Sequence, residues 1–171
     1  ETDEVLVRNV DPDVAAKVRD TFFGIAADHQ DIRQYPNGAI GANVIGKVDT
    51  DGSGQFGLEV SQDAVLGGKD GKKTQDVAVS GESIPGTLRD VTPVADGANI
   101  SLTLDLDLQT YVQSQVQQAK EMSKAKGAEA VVLDVKTGHV LAMANSDTID
   151  PTGDIEKQLK KERTFGNTTI S

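Results

Sequence analysis

Val131-Val132-Leu133-Asp134-Val135-Lys136-Thr137-Gly138-His139-Val140-Leu141-Ala142-Met143-Ala144 is the stretch on which the fold turns. Two apolar, partly β-branched runs flank Lys136-Thr137-Gly138, which predicts a hairpin with Gly138 at a left-handed position. Upstream, Asp105 stands where an N-cap carboxylate belongs, and Leu106 to Lys126 reads as a helix stopped by Gly127. Leu108, Val112, Val116 and Ala119, continued by Met122, form its expected buried stripe. Asn99 to Leu104 reads as a strand leading into that helix. A strand, a long helix and a hairpin resemble the opening of an α/β domain. Residues 145–171 are polar and read as irregular, with a short charged helix around Asp154 to Lys161.

The order of signals changes near residue 90, which predicts a boundary between residues 1–90 and 91–171. The first region reads as α+β with short strands. Residues 5–10 predict a strand, and Asp11-Pro12 an N-cap followed by a first-turn proline. The helix that follows runs to about Phe22, with Val14, Val18 and Phe22 on one face. From Asn37 to Gly71 lie nine of the 17 glycines, among recurring apolar residues, so the segment is tightly turned. Ala42, Val44, Ile45 and Val48 predict a strand, Asp49 to Gly54 a tight loop, and Leu58 to Leu66 a helix ended by Gly67-Gly68. Val77 and Val79 alternate with polar neighbours, and Ile84 to Val91 is extended apart from Pro85-Gly86.

Composition narrows the function. The 171 residues carry 27 acidic and 17 basic side chains, a formal charge of −10, without the basic stripe that a nucleic-acid binder needs. Cysteine is absent, which removes disulfides, thiolate metal sites and thiol nucleophiles. No apolar run approaches the roughly 20 residues that span a bilayer, and Glu1 to Glu4 are acidic where a signal peptide is basic. The chain begins in a strand-like run and reaches Ser171 without a closing element. The expectation is a piece of a longer polypeptide whose membrane anchor lies upstream.

Local motifs that carry chemistry elsewhere meet counter-signals. Asp49-Thr50-Asp51-Gly52-Ser53-Gly54 resembles half a calcium loop, but Val60 occupies the twelfth position and Glu59 falls one residue short, so a turn is expected and no metal. Ser123-Lys124-Ala125-Lys126 and Lys136-Thr137-Gly138 match the S-x-x-K and K-T-G of serine acyl-transfer enzymes. Such a serine opens a helix, whereas Ser123 ends one, and Lys136 to Gly138 is a hairpin tip. His29 and His139 lack ligand spacing. Asp105 and Asp107 are explained as helix N-terminal charges.

A larger pattern lies in the order of the pieces. Arg33-Gln34-Tyr35-Pro36-Asn37-Gly38, Gly57-Leu58-Glu59 and Leu66-Gly67-Gly68-Lys69-Asp70-Gly71 are followed by Leu102-Thr103-Leu104-Asp105-Leu106-Asp107-Leu108-Gln109. The hairpin with Asp134 and Gly138 comes next, then Gly166-Asn167. This series resembles the R-x-Y-P, G-L-E, L-x-G-x-x-G, L-T-x-D-x-x-L-Q and G-N motifs of class B penicillin-binding proteins, most of all the actinobacterial septal enzyme of cell division.

The resemblance implies a non-catalytic pedestal, or dimerisation-type domain, followed by the incomplete N-terminal part of an α/β transpeptidase domain. It implies that the intact protein is a serine D,D-transpeptidase that cross-links peptidoglycan stem peptides and is trapped by β-lactams, without a cofactor. The protein would be extracytoplasmic, anchored to the membrane, and partnered by other divisome proteins. The family's nucleophile would follow Gly166-Asn167, so no catalytic residue is expected in this chain and its contribution is scaffolding. Arg33 and Glu59 are expected to pair, beside Tyr35 and Pro36, because a guanidinium can grip a carboxylate with two parallel hydrogen bonds. The other reading is an autonomous module that docks divisome or wall-synthesis partners.

Overall fold

A computed structural model describes residues 4–8, 10–27, 32–76, 78, 84–161 and 163–166. It divides into a first unit, residues 1–34, and a second, residues 35–171. Val77, Val79, His29 and Asn167, which carried parts of the sequence reading, lie outside the described residues.

In the first unit, α1 (Pro12–Thr21) starts as expected. Asp11 Oδ1 accepts from the N–H groups of Asp13, at 2.9 Å, and Val14. Residues 5–8 and 10 form no strand, and Val5, Leu6 and Val7 are exposed. An isolated extended run has no ladder to stabilise it, whatever its β-propensity. Val14 and Phe22 of the expected apolar face are exposed as well, and Phe23 is fully so.

The second unit begins with α2 (Ala42–Ile45), then β1 (Lys47–Val48), β2 (Gly54–Phe56), α3 (Gly57–Ser61), α4 (Asp63–Leu66), β3 (Lys72–Thr74) and β4 (Arg89–Thr92). Strands β1 and β2 pair antiparallel, as do β3 and β4. Residues 42–45 are thus a helical turn rather than the expected strand. Gly41, at φ 67°, enters that turn and Gly46, at φ 90°, leaves it. Both are conformations that glycine adopts at little cost. Asp49 Oδ1 accepts from the N–H groups of Asp51 and Ser53, which closes the β1–β2 loop. The expected helix 58–66 is two short ones, broken at Gln62.

Two crossings of main chain hold this region. A Cβ on Gly46 would lie 1.7 Å from the Phe56 carbonyl oxygen, and one on Gly57 2.5 Å from that of Val44. The second crossing pairs Gly68 with Gly97, whose Cβ would lie 1.8 Å from the Leu66 oxygen. Gly57, from the G-L-E motif, therefore serves close packing of backbone on backbone.

Then come α5 (Leu106–Ser123), β5 (Glu129–Leu133), β6 (Val140–Asn145) and α6 (Ile155–Leu159). Asp105 caps α5 by accepting from Leu108 N–H at 2.8 Å, and Gly138 takes φ 76° in the hairpin turn. Residues 99–104 are not a strand. Thr103 Oγ1 donates to the Val140 carbonyl of β6, and the N–H of Asp105, just beyond them, donates to that of Leu141. The helix ends at Ser123, earlier than read, with Lys124 in a left-handed cap at φ 55°.

The buried side of α5 agrees with the expectation in part. Val116 is buried and Leu108 and Val112 are half-buried, whereas Ala119 and Met122 are exposed and Gln109, outside the expected stripe, is buried. Residues 145–151, read as polar and irregular, hold Asn145, Ser146, Thr148, Ile149 and Pro151 in the interior. Ile149 clusters there with Ala42, Phe165 and Ile155.

Candidate functional site

Beside Leu108, Val112 and Val116 of the expected stripe, α5 turns inward a second row one residue on, Gln109, Gln113 and Gln117. Their i, i+4, i+8 spacing puts three amides on one face. An amide can both donate and accept, so it can satisfy main chain where no strand lies alongside. Gln109 does this for β6: its Nε2 donates to the Met143 carbonyl at 2.9 Å and its Oε1 accepts from Met143 N–H at 2.8 Å. Asn43 Nδ2 adds a second bond to that carbonyl, at 3.2 Å. Gln113 holds the turn before α2, donating to the Ala39 carbonyl at 2.9 Å and accepting from Gly41 N–H at 3.1 Å. Gln117 Oε1 accepts from Asp147 N–H at 3.0 Å, and Lys120 pairs with the Asp147 carboxylate.

Because both polar groups of Met143 turn toward Gln109, the Val131–Met143 pair is a non-hydrogen-bonded one within the β5–β6 ladder. Val131 N–H and C=O therefore face the far edge of β5. Among the described residues the sheet is two-stranded, so one edge is closed by side chains and the other stays open. Val131 and Leu133 are also exposed on the outer face, whereas Ala142 and Ala144 are buried.

A second node gathers residues 145–149 and 163–166. Thr164 N–H donates to the Asp147 carbonyl at 2.9 Å, and Ile149 N–H to that of Thr164 at 3.2 Å. Asn145 Nδ2 donates to the Gly166 carbonyl at 3.0 Å, while its Oδ1 is buried without a partner. The Phe165 ring stacks on Phe56 of β2, centroids 4.6 Å apart and planes at 21°. Asp147 sits at φ 57°, a conformation that aspartate tolerates better than most residues.

The sequence-expected residues occupy several places. Arg33 closes the first unit, and Glu59, buried in α3, belongs to the second. Tyr35 is half-buried and its hydroxyl accepts from Val48 N–H at 2.9 Å, with the Lys47 ammonium 6.0 Å from the ring centroid; Pro36 is exposed. Gly57 and Leu58 open α3, Asp105 and Gln109 open α5, and Asp134 and Gly138 shape the hairpin tip. Ser123 Oγ donates to the Ala119 carbonyl at 2.6 Å within its own helix. Among the described residues no group of three or more His, Cys, Asp or Glu side chains could hold a metal ion. Sequence reasoning missed Gln113, Gln117, Asn43, Asn145 and the Phe56–Phe165 stack. The regular spacing of the glutamines was the one signal available for any of them.

Asp134 accepts from Lys136 N–H and from the Thr137 hydroxyl, both at 2.9 Å, and these bonds hold its carboxyl below the ordinary carboxylate value, the Lys136 bond contributing most. A depressed folded-state value means stability that is present above the unfolded value, about 3.9, and lost as pH falls through the folded one. Asp134→Asn is expected to remove that component. Urea unfolding at pH 6 and again near pH 2 should then show a smaller loss for the variant than for the wild type. An equal loss would separate the turn from acid sensitivity.

A sequence profile of the penicillin-binding protein dimerisation domain matches residues 1–102. The chain belongs to the class B penicillin-binding proteins. Penicillin-binding protein PbpB of Mycolicibacterium smegmatis is 48% identical over all 171 residues, 26% of that protein's length. PbpB of Mycobacterium tuberculosis is 50% identical over the same span, 25% of its length. The chain thus spans about a quarter of the curated relatives it matches. The crystal structure of penicillin-binding protein 3 from M. tuberculosis superposes with a TM-score of 0.64 at 48% identity, covering 81% of this chain and 27% of that one. That protein has also been solved with aztreonam and with ampicillin. The dimerisation-domain match takes in α1 to β4 and the approach to α5; the likeness to PbpB continues through α5, the hairpin and the Asn145 node.

Proposed function

We propose that this chain is the pedestal, residues 1–90, and the opening layer of the transpeptidase domain, residues 91–171, of a septal penicillin-binding protein that cross-links peptidoglycan stem peptides. The observation that carries the reading is the likeness to PbpB, which runs without interruption past the dimerisation domain to residue 171. The open edge of β5 supports it, since a strand with one bare edge and exposed Val131 and Leu133 is built to receive further strands. In this reading the whole protein is extracytoplasmic and membrane-anchored, its nucleophile follows Gly166-Asn167, and its partners include β-lactams and other divisome proteins. Among the described residues no helix is long and apolar enough to cross a membrane. The 171 residues act as a scaffold. Incubated with a fluorescent penicillin, the chain should stay unlabelled, while the longer protein that contains it should be acylated. Labelling of Ser123 or any other serine of this chain would overturn the reading.

The docking-module reading is favoured by a separate observation, the exposure of Val14, Phe22 and Phe23 around α1.

A further inference from the structure

We propose that residues 62–98 form an arm that opens on its own, while residues 35–61 unfold only together with residues 103–166. The seams in stability then fall at the two ends of the arm, where the polypeptide leaves one cooperative body and returns to it.

Burial places the interior on either side of the arm. Every buried residue among those described lies between Gly41 and Glu59 or between Gln109 and Phe165. The two stretches share it: Ala42 clusters with Ile149 and Phe165, Phe56 stacks on Phe165, and Asn43 Nδ2 reaches the Met143 carbonyl. Lys47 Nζ donates to the Pro151 carbonyl at 3.0 Å, and Gln113 binds the main chain of both Ala39 and Gly41. Unfolding either stretch exposes apolar side chains of the other and strips hydrogen bonds from its main chain, so neither holds without its partner.

Residues 62–98 take no part in this interior. None of those described is buried, and Ile84, Leu88, Val91 and Val94 are exposed. Among the described residues β3 and β4 pair only with each other, and a two-stranded ribbon is marginal in water. The arm's bonds are largely its own: Lys69 and Ala95 exchange two main-chain bonds, at 2.7 and 3.0 Å, and Ala98 N–H donates to the Val65 carbonyl at 2.8 Å. Among the described residues, the bonds that leave it sit at its first positions, where Gln62 N–H donates to the Leu58 carbonyl and Asp63 Oδ1 accepts from Gly54 N–H. At its base the main chain crosses at Gly68 and Gly97, close enough that a Cβ on Gly97 would lie 1.8 Å from the Leu66 oxygen. Opening the arm therefore breaks its internal bonds without exposing the interior, whereas the arm has no interior of its own to stand on once the body unfolds.

The test is native-state hydrogen exchange on the 171-residue chain, read as protection factors of hydrogen-bonded amides at rising urea below the unfolding transition. The Gly41 and Met143 amides, one from each side of the arm, should approach a common protection factor as urea rises. Those of Lys69, Ala95 and Ala98 should be on the order of a hundredfold less protected without urea and respond less steeply to it, since their opening exposes little surface. Gly97→Ala, which breaks the crossing, should lower the arm's protection by about a further tenfold and leave Gly41 and Met143 within about twofold of wild type. Phe56→Ala, which removes the stack on Phe165, should lower Gly41 and Met143 by the same factor. Arm amides as protected as Met143 would overturn the proposal, as would a Gly97→Ala chain that does not fold or in which Met143 falls as far as Lys69. So would a Gly41 amide that follows the arm's protection rather than that of Met143.

Discussion

Gly46→Ala is expected to abolish cooperative folding of residues 35–171, or to cost on the order of 4 kcal/mol where folding persists. Two penalties coincide at this position. The backbone stands at φ 90°, where an L side chain is strained, and the added Cβ would lie 1.7 Å from the Phe56 carbonyl oxygen. That neighbour is main chain at the β2–α3 junction, so a rotamer change cannot relieve the overlap. Gly57→Ala meets the same crossing from the other side, at φ 60° and 2.5 Å from the Val44 oxygen. Gly52→Ala provides the contrast: φ is 84° but nothing lies within 4 Å, so only the strain remains, about 1 kcal/mol. Urea unfolding followed by circular dichroism compares the three. Midpoints for Gly46→Ala and Gly52→Ala that coincide would show that the crossing does not govern stability.

The second large effect belongs to Gln109. Gln109→Leu keeps a side chain of similar size but withdraws a donor and an acceptor from Met143 in a site that is 2% exposed. The Met143 carbonyl retains Asn43, while its N–H loses the bond that Gln109 supplied. The expected cost is about 2–3 kcal/mol, most of it the desolvation of that one amide. Hydrogen exchange at the Met143 amide should accelerate beyond what the fall in global stability explains. An amide as protected in Gln109→Leu as in the wild type would mean that another group takes over, and the glutamine face would lose its role.

These two sites also show why part of the structure was legible beforehand. The Asp11-Pro12 start of α1, the Asp105 cap of α5 and the Gly138 turn depend on neighbours within four residues, and the sequence displays those neighbours directly. The stretch 42–45 reads as a strand by composition, yet the glycines on either side decide its path through a contact with residues 56 and 57. Residues 99–104 have strand composition too. Their would-be partner edge on β6 is taken at Leu141 by a single main-chain bond and at Met143 by Gln109.

The candidate site divides in the same way. The ordered motifs identified the family and drew attention to Gly57, Asp105 and Gln109, although they carried no information about what each one touches. Polar residues at 145–148 read as irregular because hydropathy does not show which partners will satisfy them. For Asn145 and Asp147 folding supplies a partner from 21 and 30 positions away, Gly166 and Gln117.

What the sequence determined alone was local: where helices begin, where the hairpin turns, and the order of motifs that assigns the chain to its family. Tertiary structure decided which face of α5 is buried, which edge of the hairpin stays open, and how Phe56 comes to rest on Phe165. The physical reason is that caps and turns are settled by short-range hydrogen bonds and backbone sterics. Burial of a polar side chain depends instead on a partner that only the folded chain brings within 3 Å or so.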